Sequence, residues 1–139
     1  MRGVLNGLVA ETSRVAIVDL EAGLEHLSRG TARHVDTLLV VGEPYWKSLE
    51  TAQRSFALAR ELGINRVRMV ANKVRSPRDE ETVREFAGRH SLDLAQVVPF
   101  DPAVTEADER GAALYEHRPD APSVAAIRRL ADQLLATPA

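Results

Sequence analysis

The sequence has 139 residues and 45% hydrophobic content, enough to build one ordinary core, and reads as a single α/β domain over residues 1–139. Its net charge of -2, with arginines interspersed among acids, argues against a nucleic-acid footprint, and no apolar run reaches the roughly 20 residues that a spanning helix needs. With no cysteine there is no disulfide framework, thiolate zinc site or cysteine nucleophile, and "MRGVLNGLVAET" carries no secretory-type apolar region, which points to a cytoplasmic protein without membrane contact.

Taken in chain order, a weak helical pattern over 2–12 precedes a short apolar run, "RVAIVD" (14–19), expected to be a strand that delivers Asp19 into a glycine-containing loop. "TLLVVG" (37–42) is the second expected strand. Residues 45–62 then place Leu49, Ala52, Phe56, Ala59 and Leu62 at helical spacing, with Gly63 as a left-handed C-terminal cap. "RVRMVA" (66–71) is a third strand. It is followed by a helix opening on Ser76 as N-cap and Pro77 at its first position, with acids in the first turn. "AQVVPF" (95–100) is the fourth strand, after which Asp101 and Pro102 open a helix ending near Gly111. A proline-rich connector, "EHRPDAP", leads to a last helix over about 122–136, with Val124, Ile127, Leu130, Ala131 and Leu134 on one face. Short apolar strands alternating with longer helices imply βαβ units, hence a mostly parallel sheet with helices on both faces. Ligands of such sheets gather at the carboxyl ends of the strands, here the loops beginning at Asp19, Gly42, Asn72 and Pro99.

"GEPYWKSLE" invites a phosphate-loop reading, but the glycine- and lysine-rich motif needs small residues so that successive N–H groups can wrap phosphate oxygens. After Gly42 the second glycine is missing, Pro44 removes an N–H, and Tyr45 and Trp46 fill the space before Lys47. The segment reads instead as a strand-to-helix turn with Trp46 on the sheet or at an interface. No glycine-rich loop precedes Lys73 either. Asp19 at a strand end can order a water on Mg²⁺, and Gly23 can present its N–H to a terminal phosphate. The competing reading of Asp19 is a turn or capping residue. Glu25 and Arg29 are spaced as a helical surface pair, and His26 and His34 lack the acid or cysteine company of a metal site. Asn72 can offer its amide to a purine edge or close its own turn, and the prolines of "VPFDPAVTEAD" can wall a flat ring or simply start a helix.

Jointly, "VDLEAGLEHLSRGT", "VDTLLVVGEPYWKSLETA", "LGINRVRMVANKVR" and "VVPFDPAVTEADERG" resemble, in order and spacing, the carbon monoxide dehydrogenase maturation ATPases of CooC type, within the MinD/ParA/nitrogenase-iron-protein group of P-loop ATPases. The resemblance runs from about residue 14 to 117 and reaches the C-terminal part of a normal member. It implies a P-loop NTPase (SIMIBI-like) fold lacking its first strand and P-loop, and a site for ATP or ADP with Mg. In that site Asp19 is the magnesium-linked carboxylate, Gly23 the switch glycine, and Asn72 the adenine contact, with the backbone around Pro99, Phe100 and Asp101 closing over the base. Family members use ATP to drive dimer rearrangement while delivering nickel to a metalloenzyme client. The family's phosphate loop and Cys-x-Cys pair are not among these residues.

The sequence is therefore read as a truncated or split ATP-binding protein of this family, inactive alone as an ATPase and acting as a homodimer or with a complementing P-loop-containing chain. The alternative is a non-enzymatic interaction module that pairs with another chain through an exposed sheet edge.

Overall fold

The computed structural model describes residues 15–20 and 35–136. Three parallel strands, β1 (Leu38–Gly42), β2 (Val67–Val74) and β3 (Leu94–Pro99), pair in the order β1-β2-β3. Parallel neighbours need crossovers, and the helices α1 (Trp46–Glu61) and α2 (Pro77–Arg89) supply them. The chain then continues through α3 (Pro102–Glu109), the single turn α4 (Leu114–His117) and α5 (Pro122–Leu135).

Both crossover helices cover one face of the sheet. Leu49, Ala52, Phe56 and Ala59 of α1 and Val83, Phe86 and Ala87 of α2 bury against Val67, Met69, Ala71 and Val74. The opposite face, with Val70 and Val98, is covered by Ala126 and Leu130 of α5. Sheet residues are thus apolar on both sides, as the near-continuous apolar strands require. The helix ends follow their sequence signals. Gly63 sits at φ +78, the left-handed geometry that closes α1, and Ser76 accepts a hydrogen bond from Asp79 N (3.2 Å) to cap α2.

Three expectations change. Residues 15–20 form no strand, and Val15 and Ile17 are 73% and 93% exposed. An apolar strand is stable when a neighbour takes up its backbone groups, and no described strand lies beside this one. Leu20 alone of the segment packs on the larger core cluster. The third expected strand runs on to Val74 and so takes in Asn72 and Lys73. On α5 the buried side is rotated from the expected stripe. Ser123, Val124, Ala126 and Leu130 face inward, whereas Ile127 is half-exposed and Ala131 lies outside. The expected helix over 2–12, with Gly23, Glu25, His26, Arg29 and His34, lies outside the described residues. Among those described, no helix is long and apolar enough to cross a membrane.

Candidate functional site

The carboxyl ends of the three strands meet at one end of the sheet. Gly42 pairs with Ala71, and Val74 pairs with Pro99. Between Ala71 and Val74 the ladder to β3 slips, because β2 spends one more residue than β3 in going from the Ala71–Val97 pair to the Val74–Pro99 pair. This is a β-bulge, a device that re-aims side chains at sheet ends. Asn72 and Lys73 form it.

Lys73 adopts φ 56, a left-handed conformation that costs a non-glycine residue roughly 1–2 kcal/mol. Three hydrogen bonds frame the distortion. Lys73 N donates to Asn72 Oδ1 (2.9 Å), Lys73 Nζ donates to Glu43 Oε1 (2.8 Å), and Phe100 N donates to the Val74 carbonyl (2.8 Å). Glu43 is itself held, since its N–H donates to Ser48 Oγ (2.8 Å) in the first turn of α1. The loop after β1 is thereby tied across to the end of β2. The Asn72 carbonyl oxygen is engaged by the following N–H, the turn-closing role that sequence reading set against base recognition. Its NH₂ group has no partner among the described residues, which leaves two donors facing this end of the sheet.

At the end of β3, Phe100 is partly exposed and carries the Arg75 guanidinium over its ring, 3.7 Å from the centroid. Asp101 turns the other way. Its carboxylate is buried and accepts from Ala103 N (3.0 Å), Ser123 N (3.2 Å) and Ser123 Oγ (2.8 Å), so that one side chain caps α3 and reaches the first turn of α5. Burial pushes the Asp101 carboxyl up, but the Ser123 and Ala103 hydrogen bonds, helped by the charge of Arg118, outweigh it and hold the group below the usual carboxylate range. The Asp101 side chain is thus committed to the scaffold, and only its main chain remains for a ligand.

Asp19 is exposed, one residue before the Leu20 core contact, and Gly23 is outside the described residues. No group of three or more histidine or acidic residues among the described ones is placed to hold a metal ion. The segment after β1 is a turn and not a phosphate cradle. Tyr45 is the extended N-cap residue of α1, and Lys47 is exposed on its first turn. Trp46 is 66% exposed and meets Phe86 edge-on, with ring centroids 6.2 Å apart. A hollow of about 240 Å³ bounded by Phe56, Arg60 and Asp93 lies at the amino ends of β2 and β3, away from Asn72.

Sequence reasoning missed Glu43, Arg75 and Ser123 as members of this end of the molecule. Their contacts span 30, 25 and 22 residues respectively, and no local pattern signals them.

An open parallel sheet with both faces covered and its ligand-type residues at the strand ends is the arrangement of P-loop NTPases of the MinD/ParA group. MinD from Pyrococcus horikoshii, solved with Mg-ADP, superposes with a TM-score of 0.76 at 18% identity, over 95% of this chain and 54% of that one. In sequence, the chain is 38% identical over 119 residues to the carbon monoxide dehydrogenase accessory protein CooC of Rhodospirillum rubrum, covering 86% of this chain and 44% of that protein. It is also 38% identical over 112 residues to an uncharacterized ATP-binding protein of Methanocaldococcus jannaschii, covering 80% and 43%. Over most of its length the chain is similar to the C-terminal part of the CooC-type proteins. It spans less than half the length of these two relatives. No protein-family model matches it.

Proposed function

We propose that this chain is the base-recognition portion of a CooC-type ATP-binding protein that, like its carbon monoxide dehydrogenase accessory relative, serves that enzyme, with nickel as its cargo. The observation that carries the reading is the bulge at the end of β2, where Asn72 keeps an unpartnered NH₂ beside the Pro99–Phe100 turn. The Asn72 NH₂ can donate to a ring nitrogen of adenine while the second lone pair of its Oδ1 accepts from the exocyclic amine, and the main chain around Pro99, Phe100 and Asp101 can close against the ring. These residues fit a purine. For Mg²⁺ the reading assigns Asp19, with no group of three or more acidic or histidine side chains among the described residues to hold a metal, and for the phosphates the described residues offer no run of main-chain N–H groups around a glycine loop. When bound, the triphosphate would supply the phosphoryl group whose transfer drives rearrangement in the family. This chain's own residues hold the base, and Asp19 with Gly23 is assigned the switch role.

Phosphoryl transfer depends almost wholly on positioning and electrostatics, so this chain alone should not hydrolyse ATP. Its dissociation constant for ATP should be weaker than about 1 mM, because a base site without its phosphate anchor loses most of its contacts. Calorimetry and saturation-transfer NMR with adenosine and guanosine test this. Adenosine should be preferred, and Asn72→Ala should remove that preference. Micromolar ATP binding, measurable turnover, or a preference unchanged in the variant would each sink the assignment.

A second reading rests on the outer edge of β1, where no described strand pairs and Val41 is 62% exposed. Such an edge suits pairing with a homodimer mate or with a chain carrying the phosphate loop. Co-elution with a full-length CooC-type protein in size-exclusion chromatography, without any nucleotide effect, would favour it.

A further inference from the structure

We propose that the outer edge of β3 is a docking slot for an extended, acidic peptide segment of another protein. β3 ends the sheet, and no described strand pairs with its outer side. A cleft of about 560 Å³ runs along it, floored by four successive strand residues, Leu94, Ala95, Gln96 and Val97. Because α2 covers one face of the sheet and α5 the other, the edge lies between two helical walls. Arg84 stands on the α2 wall, Arg129 on the α5 wall, and Arg75 at the strand-end mouth. A floor of main chain between flanking helices has the shape of an added strand, which would take up the free N–H and C=O groups of the edge.

The charge of the slot selects the occupant. Three arginines line it against one carboxylate, Glu80, which Arg84 already binds through two nitrogens (2.8 and 2.6 Å). Arg129 has no ion pair or hydrogen bond with a described residue. The slot is positive on a chain whose net charge is -2. Pairing β3 with β3 of a second copy would turn two such arginine-lined slots toward each other, and like charges across an interface are strongly disfavoured. An acidic segment meets no such penalty. Side chains of an extended peptide alternate between faces, so adjacent acids reach Arg84 and Arg129 in turn. Pro99, with no N–H, and Gln96, whose amide donates to the Val97 carbonyl (3.0 Å), blunt the edge against indiscriminate pairing. A partner must therefore add side-chain contacts to main-chain ones.

Fluorescence anisotropy with a labelled octapeptide of two Glu-Glu-Val repeats flanked by alanines tests the slot on the full chain. Saturable binding is expected, with amide NMR shifts concentrated at Leu94–Val97. Replacing every glutamate by lysine, N-methylating alternate peptide bonds, or introducing Arg84→Glu with Arg129→Glu should each weaken binding by about tenfold or more. Both arginines are exposed, and circular dichroism checks that the double variant is folded. No binding at about 1 mM peptide, equal binding of the acidic and lysine peptides, or an unchanged double variant would overturn the proposal. So would a peptide-free dimer dissociated by the same double variant, since that outcome assigns the edge to a second copy.

Discussion

Replacing Asp101 by alanine should be among the most damaging single changes outside the apolar core, and the structure says by how much. The carboxylate caps α3 through Ala103 N, a role worth about 1 kcal/mol. Its second oxygen serves Ser123 N and Oγ, and Ser123 is 2% exposed, so water cannot readily replace the lost acceptor. Stranding buried donors costs about 1–3 kcal/mol, which brings the whole to about 3 kcal/mol. With an m-value of about 1.5 kcal/mol/M for a chain of this size, the urea midpoint should fall by about 2 M. Circular dichroism and Trp46 fluorescence would follow the transition. Adding Ser123→Ala should recover part of the loss, because the orphaned hydroxyl goes with it, and the double-mutant cycle should give a coupling of at least about 1 kcal/mol. A loss below about 0.5 kcal/mol for Asp101→Ala, or strictly additive effects, would refute the assignment of this carboxylate to the scaffold.

The same carboxylate sets an acid limit. Its pKa in the folded chain is lowered, so its contribution is fully present above the unfolded value of about 4, declines as pH falls through that value, and is gone below the folded one. Urea titrations between about pH 5 and pH 3 should therefore show a slope that flattens in Asp101→Asn; an identical slope would count against the claim. At the bulge, Lys73→Val should cost about 1–3 kcal/mol, since a β-branched side chain is strained at φ 56. Lys73→Gly should stay within about 0.5 kcal/mol of the parent, because relief of strain offsets a more flexible unfolded chain and a lost exposed ion pair. Thermal unfolding of the two variants distinguishes this from a packing role, in which glycine would be the worse substitution.

The layered α/β class is legible in the alternation of apolar strand runs with helices of regular spacing, and the helix ends are legible in Gly63, Ser76 and Asp101. Each is a short-range signal: the backbone geometry of a cap or the periodicity of a face is written in neighbouring residues. Asn72 and Pro99, which the resemblance names for base recognition, stand on the adjacent strands β2 and β3. The tertiary structure alone decided that "RVAIVD" stays exposed over its described part, that Lys73 bulges out and ties to Glu43, that Asp101 spends its carboxylate on Ser123, and that three arginines converge on the β3 edge. These outcomes depend on what lies beside each residue in space and across the sheet. A strand forms only where a neighbour can take its backbone groups, and a carboxylate chooses between ligand and scaffold according to which donors folding brings within reach.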